Sequence, residues 1–325
     1  MKPSSPFATL PRLLVLGLSI LTLAFSLSAR AEGLKKLTVG HDIWVGYSGY
    51  YIALEKKFFE KNGLQIEDKV FPNPGDTMPA LIGGHLDLAL STLQNISYAK
   101  LTSGTDIRLI YMFDTSNGAD AIVAKKSIKS IKDLKGKTVA ATLGEVNHML
   151  LVTALKENGM SESDIHFVNM NADDAGAAFV SGNVDAAVTW EPWVTKAKQS
   201  GGHVVFDSSM VPDTILDAVS VNAKTAQTKS AEIAAFLKAI DEGVTYLYKN
   251  PDAGAAIVAK ALEVSKDDVL AMLETDKIYT LADNKKLMNG PIKESLKRVD
   301  FFLLSQHMIK NAVGAEQIID TSFIK

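Results

Sequence analysis

Cysteine is absent from the 325 residues, which excludes a disulfide scaffold, a thiolate metal site and a cysteine nucleophile. Charge of one sign is scarce as well. With 34 basic against 37 acidic residues the formal net charge is -3, so a polyanion such as nucleic acid is not the main partner. The six histidines contain no His-x-x-His or His-Glu-x-x-His spacing, and no metal site follows from them. Neither a Gly-x-Ser-x-Gly elbow nor a Gly-x-x-x-x-Gly-Lys-Ser/Thr loop occurs, so no serine-nucleophile or nucleotide-phosphate motif is present. Long apolar runs are missing everywhere except in the first 31 residues.

That exception reads as an export leader. Lys2 and Arg12 precede an apolar run from Leu13 to Leu27, and Ala29-Arg30-Ala31 fits the small-x-small rule for cleavage. The run falls short of the ~20 residues that span a bilayer, so a cleaved signal over residues 1–31 is expected in preference to a retained anchor. What remains is ordinary globular material, 47% hydrophobic and 22% charged over the whole chain, with length for about two domains.

From Leu34 onward, short β-rich runs alternate with amphipathic stretches, the pattern of α/β units. Leu37–His41, Leu64–Phe71, Leu86–Leu90 and Ile107–Phe113 read as strands; Tyr50–Lys61, Thr77–Ile82 and Leu93–Leu101 read as helices. About one hundred residues later the order returns. Thr138-Val139 echoes Thr38-Val39, Asn158-Gly159 echoes Asn62-Gly63, and Gly182-Asn-Val-Asp185 echoes Gly84-His-Leu-Asp87. Two similar lobes are expected, each a mainly parallel sheet flanked by helices. The first comprises residues 32–117 and the second 118–215, and residues 216–325 return to the first lobe. Helices follow at Lys229–Asn250, Ala253–Leu262, Lys266–Glu274 and Ile292–Ile309, and they form a packing layer for that first lobe. Phe113–Asp120 and Pro212–Ala218 would be the two strands of a hinge.

Ligands of open α/β sheets bind beyond the carboxyl ends of the strands, so two lobes offer two half-sites. In the first, Trp44 and Tyr47 follow a strand and Ser91 and Thr92 end another. In the second, Glu145 and His148 open a helix and Trp190 and Glu191 end a strand. Each also has a bland reading, the tryptophans as core aromatics and the Thr142–His148 segment as a capped helix start. Asp114, Asp120, Glu145 and Glu191 are more acids than a purely anionic ligand favours. Together with aromatic faces they suit an ammonium or guanidinium group, so a small zwitterion or polar nitrogen compound is expected.

Trp44-Val-Gly-Tyr47, Tyr51-Ile-Ala-Leu-Glu-Lys-Lys-Phe-Phe59, Asn62-Gly-Leu64, Gly84-His-Leu-Asp87, Ile131-Lys-Asp-Leu-Lys-Gly-Lys-Thr-Val139 and Gly182-Asn-Val-Asp-Ala-Ala-Val-Thr-Trp-Glu-Pro192 together resemble the periplasmic solute-binding proteins of ABC importers. The similarity is to the branch that takes sulfonates, taurine, nitrate, bicarbonate and thiamine precursors. The resemblance implies a type II two-lobed fold without a cofactor, closing on one small molecule and delivering it to a membrane permease with its ATPase; a monomer is expected. It also implies ligand contacts at Trp44, Tyr47, Ser91, Thr92, Glu145, His148, Trp190 and Glu191, and around the first crossing at Thr115 and Asp120. Sulfonate binders tend to carry a small-hydroxyl pair where this chain has Glu145-Val146, which disfavours a simple alkanesulfonate and leaves a taurine-like zwitterion preferred. Urea, amidine, nitrate or bicarbonate, and pyrimidine-type ligands are the alternatives, followed by a pyrimidine-synthase-like enzyme and a receptor-docking ligand sensor. Mass spectrometry of the exported protein is expected to find its N-terminus at Glu32; an N-terminus at Met1 would refute the cleaved leader.

Overall fold

The computed structural model describes residue 1 and residues 33–324; the expected leader, but for Met1, lies outside the described residues. Eleven strands are described. They are β1 (Lys35–His41), β2 (Leu64–Val70), β3 (Leu88–Thr92), β4 (Ile107–Ser116), β5 (Ala121–Ala124), β6 (Thr138–Ala141), β7 (His166–Asn169), β8 (Ala186–Thr189), β9 (His203–Asp207), β10 (Leu216–Asn222) and β11 (Asp276–Ile278). They form two sheets, one ordered β11-β4-β10-β3-β1-β2 and the other β7-β6-β8-β5-β9. Among the described residues no helix is long and apolar enough to cross a membrane.

The two-lobed α/β architecture agrees with the sequence pattern, but the sheets are mixed instead of mainly parallel. β1 runs parallel to β2 and β3, and β6 parallel to β7 and β8, as helical crossovers require. β10, however, comes back from the other sheet and inserts antiparallel between β3 and β4. In the smaller sheet β5 lies antiparallel to both β8 and β9. A chain that leaves one sheet and later returns to it enters from the opposite end, and that is the source of the reversed strands. The short β11 edge strand, antiparallel to β4, has too few residues to carry a periodic signal.

The internal repeat has a physical basis in paired local contacts. Asp87 accepts from the Thr38 amide at 2.9 Å and returns its own amide to the Thr38 carbonyl at 2.8 Å. Asp185 does the same for Thr138, at 3.1 and 3.0 Å. Each aspartate thereby clamps one strand's start to the turn before the next, and each is paired with a lysine, Lys229 or Lys125. Gly63 and Gly159 end helices at φ of 80° and 71°, a backbone region that a side chain disfavours. Asn62 and Asn158 bond back to the carbonyls of Phe58 and Ala154.

Three helix boundaries differ from the sequence pattern. The expected Tyr50–Lys61 helix is two helices, Ser48–Glu55 and Phe58–Lys61, parted by Lys57 in the left-handed region at φ 57°. Pro251 opens the helix Pro251–Leu262 as well as ending the helix Ser230–Lys249 before it, since proline fits the first helical turn. The helix Ile292–Ser305 stops short of Ile309, with His307 at φ 55°. That helix packs on Leu93–Thr102 and also on Val146–Glu157, so it touches both lobes and does not serve the first alone.

Ser230–Lys249 buries Ile233, Phe236, Leu237, Ile240, Val244 and Leu247, a stripe at helical spacing, against the helix Ser48–Glu55. The two helices meet at Gly243 and Gly49. A Cβ built on Gly243 would lie 2.0 Å from the Gly49 carbonyl oxygen, a backbone atom that cannot rotate away. Gly243→Ala is therefore expected to destabilise the fold by about 1–3 kcal/mol, the usual cost of overpacking. Urea unfolding measures this, and an unchanged midpoint would contradict the close approach.

Candidate functional site

The cleft between the sheets is built from the ends of their strands. β1 ends at His41 and delivers Asp42 and Trp44; β3 ends at Thr92, whose hydroxyl caps the next helix by accepting from the Asn95 amide at 3.2 Å. From the other lobe come Val146, at a helix start, and Trp190, after β8. These residues, with Pro74, Asp120, Ile215 and Asp217, surround one space. It is small, with about 10 Å³ open to the centre of a water-sized sphere, room for about one water.

Direct bonds hold the lobes at this spacing. Gln94 Nε2 donates to the Gly144 carbonyl at 2.6 Å, and Asn95 Nδ2 donates to Glu145 Oε2 at 2.6 Å. Trp44 and Trp190 meet across the cleft with ring centroids 6.2 Å apart, tilted by 59°. At the lobes' junction the two crossings, 117–120 and 208–215, are stitched by serines. Ser208 Oγ lies 2.7 Å from Ser116 Oγ and accepts from the Gly118 amide at 2.7 Å; the Ser208 amide donates to the Asp120 carbonyl at 2.9 Å.

The chemistry of the cleft is acidic. Asp114 on β4 and Asp217 on β10 are cross-strand partners, an arrangement of like charges that is ordinarily destabilising. Trp44 Nε1 donates to Asp114 Oδ2 at 3.0 Å, and the Tyr47 hydroxyl donates to Asp217 Oδ1 at 2.9 Å and lies 3.3 Å from Asp42 Oδ1. Asp114 Oδ1, Asp120 Oδ1 and both oxygens of Asp276 are buried without a partner. Among the described residues none of Asp42, Asp114, Asp120, Glu145, Asp217 or Asp276 forms an ion pair. The imidazole of His41 is engaged by Asp68, Nε2 to Oδ1 at 2.9 Å.

Burial holds Asp114, Asp217 and Asp276 well above the usual carboxylate range; the charges of Asp276 and Asp217 add to it at Asp114, those of Asp217 and Asp120 at Asp276, and those of Asp42 and Asp120 at Asp217, where hydrogen bonds with Tyr47 and Asp114 oppose it. Burial pushes Asp42 up to about 6 and Asp120 to about 7. Glu145 rises to about 7 through burial, opposed by the Asn95 hydrogen bond and helped by the charges of Asp42 and Asp76. Among the described residues no group of three or more His, Asp or Glu side chains is arranged to hold a metal ion.

Of the residues singled out from the sequence, Trp44, Thr92, Asp120 and Trp190 line the cleft directly. Tyr47 lies behind it on Asp217, and Glu145 bridges to Asn95. Ser91 holds the Pro74 carbonyl at 2.6 Å, and Thr115 donates to the Ile215 carbonyl at 3.2 Å; both position the wall instead of forming it. His148 is turned to other work. Its Nε2 is 2.7 Å from Glu162, its Nδ1 accepts from the Gly144 amide, and Phe167 and Phe302 flank the ring. Glu191 accepts from the Thr195 amide and hydroxyl at 3.0 Å, at the start of the helix Trp193–Gln199, on an outer pocket beside Trp193 and Lys196. Asp42, Pro74 and Asp217, which line the space, were missed, as was Asp276, which lies behind it on β11 and acts on Asp114. An aspartate inside the apolar run Ile215–Val221 was the available signal for Asp217.

Residues 44–254 match the family model described as NMT1/THI5 like. The chain belongs to that family. The taurine-binding periplasmic protein of Escherichia coli (strain K12) is 26% identical over 263 residues, 78% of this chain and 81% of that one. The periplasmic aliphatic sulphonate binding protein of Escherichia coli superposes with a TM-score of 0.73 at 23% identity, covering 87% of this chain and 96% of that chain. The alkanesulfonate-binding protein of Xanthomonas axonopodis pv. citri, bound to MOPS, gives a TM-score of 0.72 at 17% identity, covering 90% of this chain and all of that one, 100%. Both structures share the two-lobed fold of this NMT1/THI5-like chain.

The raised carboxylates set the sign of a pH effect. The folded cleft keeps protons on Asp42, Asp114, Asp120, Glu145, Asp217 and Asp276 that the unfolded chain releases above about pH 4. Their contribution is fully present below the unfolded pKa and is lost as pH rises through the folded values. His41, raised by Asp68 against its own burial, acts in the same direction, and Asp173 adds negative charge near Asp42. Ligand-free protein is expected to melt at lower temperature at pH 7.5 than at pH 5, and Asp217→Asn is expected to flatten that slope. A melting temperature that climbs steadily over this interval would contradict the buried acid cluster.

Proposed function

We propose that the chain is the solute-capturing component of an ABC importer. It acts in the periplasm as a monomer after loss of residues 1–31, and hands one small molecule to a membrane permease driven by its ATPase. The observation that carries this reading is the cleft lined from both lobes at the strand ends and bridged by Gln94–Gly144 and Asn95–Glu145. The names of the similar proteins support it, being those of periplasmic and sulfonate- or taurine-binding proteins. The lobes are taken as residues 32–117 with 216–325, and residues 118–215, the serine-stitched crossings acting as the hinge. A ligand drives closure by its difference in affinity for the open and closed states.

The solute that suits this cleft carries an ammonium or another N–H-rich group, whose charge the cleft carboxylates balance. Within the sulfur solutes a taurine-like zwitterion is favoured, its amine toward the acids. Urea-like, amidine and pyrimidine-type compounds are served by the same acceptors, whereas nitrate or bicarbonate would meet carboxylates of its own sign.

A thermal-shift panel of sulfonates, amines, ureas, amidines, nitrate, bicarbonate and pyrimidines tests the reading. A true ligand at 100 times its Kd adds about 2.7 kcal/mol of stability. Its binding is expected to change tryptophan fluorescence, and Trp44→Ala and Trp190→Ala are each expected to remove most of that signal with the fold intact. A silent panel would refute capture of these solutes.

A further inference from the structure

The acid-lined cleft contains features that together narrow the solute class, on the premise that the protein is a solute binder. No Lys, Arg or His stands among the residues that surround the cleft space; Lys196 lines the adjoining pocket that shares Trp44 and Trp190 and lies over the Trp193 ring. On the cleft wall Asp120 Oδ1 is a buried acceptor without a donor, on a residue 1% exposed; behind the wall Asp114 Oδ1 and Gln94 Oε1, whose amide is spent on Gly144, are buried without donors as well. Orphaned buried acceptors of this kind cost stability until a donor reaches them. Two indole rings face one another across the same space, and indole is the strongest aromatic partner for a cation. With the lobes held together by the Gln94 and Asn95 bonds the space admits about one water, so a ligand of only a few atoms enters with those bonds parted and holds the lobes slightly wider than this spacing.

We infer that the cleft selects a small, flat, fully protonated cation of the guanidinium or amidinium class, stacked on one of the Trp44 and Trp190 rings with its N–H groups on Asp120 and Asp217. The indoles are tilted by 59° with centroids 6.2 Å apart, so a flat group stacks on one ring and meets the edge of the other, and the several N–H donors of a guanidinium or amidinium match divergent carboxyl groups better than the compact ammonium does. A bound cation stabilises the ionised form of acids that burial otherwise keeps protonated, so charge, and not N–H count alone, is what the cleft selects. Urea, with nearly the same shape and no charge, is therefore the informative competitor.

The test is calorimetric titration of the mature chain with methylguanidinium, acetamidinium, urea, taurine and methanesulfonate. The two cations are expected to bind more tightly than urea or taurine by about tenfold or more, tenfold being 1.4 kcal/mol. The titrations are run at pH 8, where the protons of Asp120 and Asp217 are more readily released. Asp120→Asn and Asp217→Asn keep side-chain shape and remove the carboxylate that a cation would form by displacing the acid's proton. Each is expected to weaken the cations by about tenfold while leaving urea nearly unchanged. Equal affinity for urea and the cations, or preference for taurine or methanesulfonate, overturns the cation assignment and leaves the importer reading standing. Binding by none of the five also overturns it; the importer reading itself falls only if the wider thermal-shift panel is silent too.

Discussion

Asp114 and Asp217 stand opposite each other on neighbouring antiparallel strands, buried and without a cation. Such a pair is stable only if protons, nearby donors or an incoming positive group offset the repulsion. Trp44 and Tyr47 each supply one donor, which ties the loop after β1 to the two strands that lead toward the other lobe. Asp120 and Asp276 add further buried carboxyl groups around the same junction, each holding its proton above the usual range. The cleft's polarity, the placement of one tryptophan wall and the electrostatics of the hinge therefore rest on one local conflict.

That conflict exists because of how the chain is threaded. β10 enters the first sheet only after the second lobe is complete, and it lies between β3 and β4. The hinge is thus continuous with the centre of a sheet, where strands are held from both sides. Ser116 and Ser208 hold the two crossings in register. With no cysteine in the chain, the tie between lobes is made of hydrogen bonds and packing, which can be broken and remade at modest cost.

The lobes themselves were legible before any coordinates. Thr38, Asp87, Thr138 and Asp185 recur because each pair performs the same clamp, and Asn62-Gly63 and Asn158-Gly159 recur because each ends a helix in the same way. Of the site, the residues next to strand ends were found: Trp44, Thr92, Asp120 and Trp190. His148 looked equally well placed, yet on a helix start a single step along the chain turns a side chain by about 100°, and its ring went to Glu162 and the aromatic layer. Asp42 was passed over beside more conspicuous aromatics, and Asp276 sits on a strand of three residues that has no period to detect.

Local chemistry, which is read in order along the chain, carried the strand and helix pattern, the doubled lobe, and the loops that hold the site. Those signals depend on neighbours within a few residues or on a motif that repeats. The reversal of β10, the mixed sheets and the meeting of Asp114 with Asp217 bring together positions about a hundred residues apart, and no periodicity records such a pairing. The acids were visible as letters from the start. That Asp42, Asp120 and Asp217 converge on a space beside two indoles was settled by threading, and burial is what keeps protons on them.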